Sequence, residues 1–197
     1  CSIGQTASIN FEGEGDPTRC GDERWDCRCV DMPPAPLGII GRFSDMTVHD
    51  GTPWISAYSD TYGDLVIGRY LANGGLQWQW IDGLPVGGEP DANPTGPRSG
   101  FTLPGPDVGR YTALAAGTDG TLHIAYYDFD NRALKYAVGQ VSGDGHQWQT
   151  MVLDAEGDAG RWSSITLDPE GRPGIAYRVG SVEGISQVRY IQATAAM

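Results

Sequence analysis

Gly109-Arg110-Tyr111-Thr112-Ala113-Leu114-Ala115-Ala116-Gly117-Thr118-Asp119-Gly120-Thr121-Leu122-His123-Ile124-Ala125-Tyr126-Tyr127-Asp128 is the middle copy of a stretch that occurs three times. The other copies run from Gly41 to Asp60 and from Gly160 to Val179, and all three superimpose without a gap. Each opens Gly-Arg-aromatic-(Ser/Thr): Gly41-Arg42-Phe43-Ser44, Gly109-Arg110-Tyr111-Thr112, Gly160-Arg161-Trp162-Ser163. Each carries Ala-Tyr at one offset, Ala57-Tyr58, Ala125-Tyr126 and Ala176-Tyr177. A unit this short cannot bury its own faces and must stack on its neighbours.

Alternation and turn signals resolve each unit into strands. In the first copy these are Phe43 to Val48, Trp54 to Ser59, Leu65 to Leu71 and Gln77 to Ile81. Asp50-Gly51 and Asn73-Gly74-Gly75 mark turns between them. The second copy reads alike: Tyr111 to Ala116, Leu122 to Tyr127, Ala133 to Val138 and Gln147 to Leu153. A basic residue precedes tyrosine in each third strand (Arg69-Tyr70, Lys135-Tyr136, Arg189-Tyr190), and Gln77-Trp78-Gln79 matches Gln147-Trp148-Gln149 in the fourth. The third copy stops seven residues after Tyr190. Gly or Pro interrupts every segment long enough for an amphipathic helix.

Four short antiparallel strands at a repeat of about 50 residues are the pattern of a propeller blade. On each first strand, Ser44, Met46 and Val48, Thr112, Leu114 and Ala116, or Ser163, Ile165 and Leu167 share one face. The other face carries an aromatic and then small residues, such as Tyr111, Ala113 and Ala115, so flat sheets can stack closely. The expected fold is all-β, with about three four-stranded blades, the last incomplete. Blade 1 covers about 40–82, blade 2 about 109–154 and partial blade 3 about 159–195, with an insertion at 83–108. An irregular cysteine-containing head and Pro-rich linker, residues 1–36, precede the repeats at 37–197. These repeats resemble those of secreted bacterial β-propeller proteins over roughly residues 40 to 195. The resemblance implies the fold and leaves the activity open. Three blades do not close a ring of four to eight. A partner subunit, further copies or more chain would complete it, and the head segment Thr6 to Phe11 is another source for the missing strand.

The net charge of -12 argues against nucleic acid and against docking on anionic lipid. Cys20, Cys27 and Cys29 cluster in the head, which points to a local disulfide in an oxidising compartment, with a zinc site as the rival reading. A chain beginning at Cys1 resembles a bacterial lipoprotein after signal removal, with lipid on that residue; an arbitrary start is the plain alternative. The expected location is extracellular, periplasmic or on the outer envelope.

Arg42, Arg110 and Arg161 hold one position in the three units. There they would hold a carboxylate, sulfate or phosphate, or tie each blade to its neighbour. Asp60, Asp64, Asp128 and Asp130 form acidic loops that would stabilise turns or take calcium. No other cofactor is implied. Trp78, Trp80 and Trp148 lie on fourth strands and would serve as sugar-stacking platforms, interface anchors or ordinary blade aromatics. His49, His123 and His146 form no triad, and no Gly-x-Ser-x-Gly elbow is present. The leading functional reading is a non-catalytic binding or scaffolding subunit of an extracellular or envelope assembly. A glycan-binding, lectin-like module is the alternative. A sialidase-like glycoside hydrolase comes third, since the Ser-x-Asp-x-Gly-x-Thr-Trp turn is missing and no carboxylate pair stands out.

Overall fold

The computed structural model describes residues 39–83, 105–142, 145–180, 184 and 186–195, together with the backbone of 5–9 and 27–31. The chain divides into two units, Cys1–Leu37 and Gly38–Met197. In the first, β1 (Gln5–Ile9) pairs antiparallel with β2 (Cys27–Asp31). The strand expected near Thr6 therefore has β2 as its partner. Cys27 and Cys29 lie in β2, opposite Ile9 and Ala7. Cys1, Cys20 and residues 32–36 of the linker lie outside the described residues, as do 84–104 of the insertion.

The second unit is all-β, and its described residues contain no helix. Sheet I comprises β3 (Ile40–His49), β4 (Thr52–Ser59), β5 (Asp64–Tyr70) and β6 (Leu76–Asp82). Sheet II comprises β7 (Val108–Ala116), β8 (Leu122–Asp128), β9 (Ala133–Ser142) and β10 (Gly145–Asp154). Sheet III comprises β11 (Ala159–Leu167), β12 (Pro173–Val179) and β13 (Gln187–Gln192). Each is an antiparallel meander.

The sheets stack in chain order. β7 packs on β3, β4 and β5, and β11 packs on β7, β8 and β9. We call the side of a sheet that meets its predecessor its front, and the other its back. The front of sheet II puts Leu114, Leu122, Ile124 and Tyr126 on Leu65 and Ile67 of sheet I. Its back puts Ala113, Ala125, Leu134, Tyr136 and Val138 on Ala159, Ile175, Tyr177 and Val179 of sheet III. Each fully buried Leu or Ile in these layers is worth about 1.5–3 kcal/mol.

The shared opening Gly-Arg-aromatic is a bulge. Gly41, Gly109 and Gly160 have φ of 129°, 102° and 110°, and Phe43, Tyr111 and Trp162 have φ of 54°, 55° and 49°. Pairing of the first strand with the second slips twice there in every sheet. The regular alternation expected from the aromatic onward therefore begins only after it. The aromatic rings leave the pleat and stack on one another, with centroids 4.4 Å apart for Phe43–Tyr111 and 4.7 Å for Tyr111–Trp162. A Cβ on Gly109 would lie 2.7 Å from Leu65 Cα, and one on Gly160 2.7 Å from Leu134 Cα. The glycines thus let a bulge press against the third strand of the preceding sheet.

The gapless superposition does not survive in space. In sheet I, His49 pairs with Thr52 around Asp50-Gly51, both at positive φ, a tight two-residue turn. In the other sheets Ala116 pairs with Leu122 and Leu167 with Pro173, across five residues. The first hairpin is one residue shorter, so Tyr58 occupies the place of Tyr127, not that of Tyr126. Likewise Val66, and not Arg69, stands where Lys135 and Arg189 stand: Ala57 pairs with Val66, Tyr126 with Lys135, and Tyr177 with Arg189.

Gly109→Ala and Gly160→Ala add a backbone clash of about 1–3 kcal/mol to a conformational strain of similar size. Gly41→Ala incurs the strain alone, because nothing lies within 4 Å of its added Cβ. Urea unfolding at high dilution, where each chain stands alone, should rank Gly41→Ala as the mildest of the three.

Candidate functional site

Two kinds of polar bridge cross each junction between sheets. In the first, Tyr58 Oη donates to Asp107 Oδ1 at 2.9 Å, and Arg110 Nη2 donates to Asp107 Oδ2 at 2.7 Å and to Tyr58 Oη at 3.4 Å. The next junction repeats it. Tyr127 Oη donates to Asp158 Oδ1, and Arg161 Nη2 lies 3.2 Å from both Tyr127 Oη and Asp158 Oδ2. Burial, then the hydrogen bond to Asp158, pushes the Tyr127 hydroxyl above the usual phenol range. Arg42 faces no such pair and binds Asp60 Oδ1 of its own sheet at 2.9 Å.

The second bridge starts at the end of a fourth strand. Asp82 Oδ2 accepts from Tyr126 Oη at 2.6 Å and from Lys135 Nζ. Asp154 Oδ2 accepts from Tyr177 Oη at 2.7 Å and from Arg189 Nη1 at 2.8 Å. Burial first, and Asp154 second, pushes the Tyr177 hydroxyl up to about 12. Burial would raise the Asp154 carboxyl, but hydrogen bonds from Tyr177, the Glu156 amide and Arg189 outweigh it and hold it below the ordinary 3.8. The motif hydroxyls add a third link, with Thr112 donating to Phe43 O at 2.7 Å and Ser163 to Tyr111 O at 2.5 Å.

A groove of about 330 Å³ opens between sheets I and II, away from the aromatic stack. Its lining includes His49, Asp50, Trp54, Arg69 and His146. A neighbouring hollow of about 230 Å³ shares Trp54, Arg69 and His146 and adds Gln77, Trp78 and Gln79. Trp54 meets the His146 ring edge-on at 4.9 Å, and the Arg69 guanidinium lies 5.6 Å from the Trp54 ring. His146 Nε2 lies 3.0 Å from Gly120 O, and His49 Nε2 lies 3.3 Å from Asp50 Oδ2. A backbone carbonyl of one turn therefore fixes His146, and an aspartate of another lies against His49, at the rim.

Of the other residues singled out in the sequence, Trp78 lines the hollow and Trp148 lies beside it, its ring 6.0 Å from that of His146. Trp148 Nε1 donates to Gln79 Oε1 at 3.2 Å, and its ring would lie 2.8 Å from a Cβ on Gly139. Trp78 covers Gly68 in the same way, and Trp80 meets Tyr62 edge-on at 6.0 Å. Asp128 caps Asn131, bonding its N and Nδ2, and Asp130 accepts from the Asp107 amide. Asp64 is buried against Gly83. No three His, Cys, Asp or Glu side chains among the described residues converge as metal ligands would.

Sequence reasoning missed Trp54, Arg69 and Gln77 as neighbours of His49 and His146, because no spacing links them. It also missed the bridging acids, although Asp107-Val108-Gly109-Arg110 and Asp158-Ala159-Gly160-Arg161 carry a visible signal.

No family model and no curated protein matches this chain. Some solved structures are similar to it in part. A bifunctional GH43-CE protein of Bacteroides eggerthii is similar at a TM-score of 0.43 and 14% identity, over 76% of this chain and 17% of that one. The α-L-arabinofuranosidase PaAbf62A from Podospora anserina, in complex with cellotriose, is similar at a TM-score of 0.35 and 13% identity, over 81% of this chain and 65% of that one. The polysaccharide lyase Uly1 is similar at a TM-score of 0.31 and 14% identity, over 78% of this chain and 37% of that one. The chain thus spans less than two thirds of each.

Asp82→Asn and Asp154→Asn should each destabilise the second unit by roughly 2–4 kcal/mol, since each strands a partly buried cation and a phenol. The Asp154 contribution is present above the ordinary carboxyl pKa and is lost as pH falls through its lower folded value. Wild type should therefore lose stability below pH 4 more steeply than Asp154→Asn, as thermal melts across that range will show.

Proposed function

We propose that this chain is a propeller-type repeat module that binds a glycan in the groove between sheets I and II and does not transform it. The observation that carries this reading is that Trp54, Arg69 and His146 line both the groove, which adds His49, and the neighbouring hollow, which adds Gln77. A sugar ring offers a CH face to an aromatic surface and hydroxyls to amide, imidazole and guanidinium groups. Ligand sites of this kind pair apolar walls with a few placed polar groups. The arrangement favours Trp54 as the stacking platform, because it lines both the groove and the hollow, whereas Trp78 lines the hollow alone and lies over Gly68, and Trp80 and Trp148 lie against Tyr62 and Gly139.

The acids near the three repeated arginines also support a binding role. Asp60, Asp107 and Asp158 are engaged by Arg42, Arg110 and Arg161, so they are poorly placed to act as a proton donor and a nucleophile on a sugar. The propeller assignment draws support from sheets stacked face to face with their first strands adjacent, the relation that blades bear to one another. An extracellular or envelope location belongs to the same proposal and rests on the cysteine-bearing head.

A glycan array of neutral and acidic oligosaccharides probed with the full chain should show binding. Trp54→Ala and Arg69→Ala should each weaken it at least about tenfold, a loss of roughly 1.4 kcal/mol, while Asp168→Asn, in the turn between β11 and β12 of sheet III, should leave it unchanged. A folded chain that binds nothing on the array, or a Trp54→Ala variant that binds as wild type, would contradict this reading. Release of product from fluorogenic glycosides would contradict its non-catalytic half.

A further inference from the structure

The two outer faces of the stack are halves of a junction that the chain already makes twice. At both inner junctions the back of one sheet supplies a buried leucine from its third strand, Leu65 or Leu134. The front of the next sheet sets a bulge glycine on it, Gly109 or Gly160. On the back of sheet III the equivalent residue is Val188, which pairs with Arg178 as Leu134 pairs with Tyr127. Val188 is 80% exposed. On the front of sheet I the equivalent glycine is Gly41, held at φ +129° with nothing within 4 Å of its added Cβ. Beside it Met46 and Val48, which hold the places of Leu114 and Ala116, are 59% and 56% exposed.

The aromatic column is cut in the same way. Tyr111 has a ring on either side, whereas Trp162 is 56% exposed at one end of the stack. Phe43, at the other end, is the ring that would follow it. Ser44 holds the place of Thr112 and Ser163, whose hydroxyls reach the carbonyl of the preceding bulge aromatic. Trp162 supplies the next carbonyl in that series.

The positions of the inner junction, matched one for one on these two faces, identify the occupant as a second copy, and the polar bridges do not oppose it. An inner junction needs an aspartate at the end of the preceding fourth strand and a tyrosine with a cation on the following sheet. Sheet I has Ala57 and Val66 where sheets II and III have Tyr126 with Lys135 and Tyr177 with Arg189. The front of sheet I therefore carries no tyrosine or cation of that bridge that would be stranded without an aspartate from the preceding sheet. In the other bridge Arg178 takes the place of the tyrosine, and Ile39 that of the aspartate. Asp60, which binds Arg42 as Phe129 lies on Arg110, is the acid at that position to offset the two guanidiniums.

We propose that the back of sheet III docks on the front of sheet I of a second copy of this chain, and that two copies close a ring of six sheets. Such a head-to-tail contact either closes or grows into a filament. Six sheets fall within the four to eight that close a propeller. The contact is independent of the groove and of its ligand.

Sedimentation of the full chain should give twice its 21.1 kDa mass. Val188→Asp and Met46→Asp should each weaken association at least about 30-fold, as loss of a central interface anchor does. Both residues are exposed within one copy, so circular dichroism should show the sheets intact in either variant. Mixing the two variants should restore a dimer, because one junction of the mixed pair keeps both native faces. A wild-type monomer at about 100 μM, a far higher concentration than such interfaces need, would overturn the proposal. Open filaments would overturn the closed ring. A dimer sensitive to only one of the two substitutions would indicate a face-to-face contact and sink the head-to-tail one.

Discussion

Backbone pressed on backbone sets the spacing of this molecule. Where Gly109 meets Leu65, and Gly160 meets Leu134, an added methyl group would fall 2.7 Å from a Cα atom. No side chain can stand between the bulge of one sheet and the third strand of its predecessor. That close approach draws the first strands together and seals the leucine beneath. It also brings the four motif positions into register with the neighbouring sheet. The glycine provides room, the arginine closes a bridge, the aromatic extends a column of rings, and the hydroxyl reaches the carbonyl behind it. A four-residue motif that looks like a strand start is a docking device.

The charges follow from the same contact. Packing sheets this tightly would bury phenols and cations at their edges, and an unpaired buried polar group is expensive. Each junction answers with two acids. Asp107 and Asp158 sit just before the bulge, and Asp82 and Asp154 sit where a fourth strand ends. Such bridges select one register of one sheet on the next. They consume much of the acid and base chemistry that the composition offers. The groove beside Trp54 lies off this bridging system and keeps two imidazoles at its rim.

The repeats were legible because a bulge, a turn and a strand each carry their own local chemistry. Gly-Arg-aromatic, Asp50-Gly51 and the Gln-Trp-Gln strands could be read without a partner in view. The strand limits lie close to those expected, for example Leu122–Asp128 against Leu122 to Tyr127. The one-residue difference between the first hairpin and the others was not legible, because a gapless match hides it. That difference moves Tyr58 to the place of Tyr127 and takes Arg69 out of the series of Lys135 and Arg189. Alternation in a strand has period two, so one residue decides which sheet a side chain faces.

What the residue order alone determined is the unit: short antiparallel strands, bent at a glycine, unable to bury both faces, and therefore stacked. What only the tertiary structure decided is how units meet. Leu65 and Gly109 are 44 positions apart in the chain, and Trp54 and His146 are 92 apart. No local propensity encodes such pairs. They exist because sheets of fixed thickness pack face to face, and that packing selects which distant side chains share a bridge or line a groove.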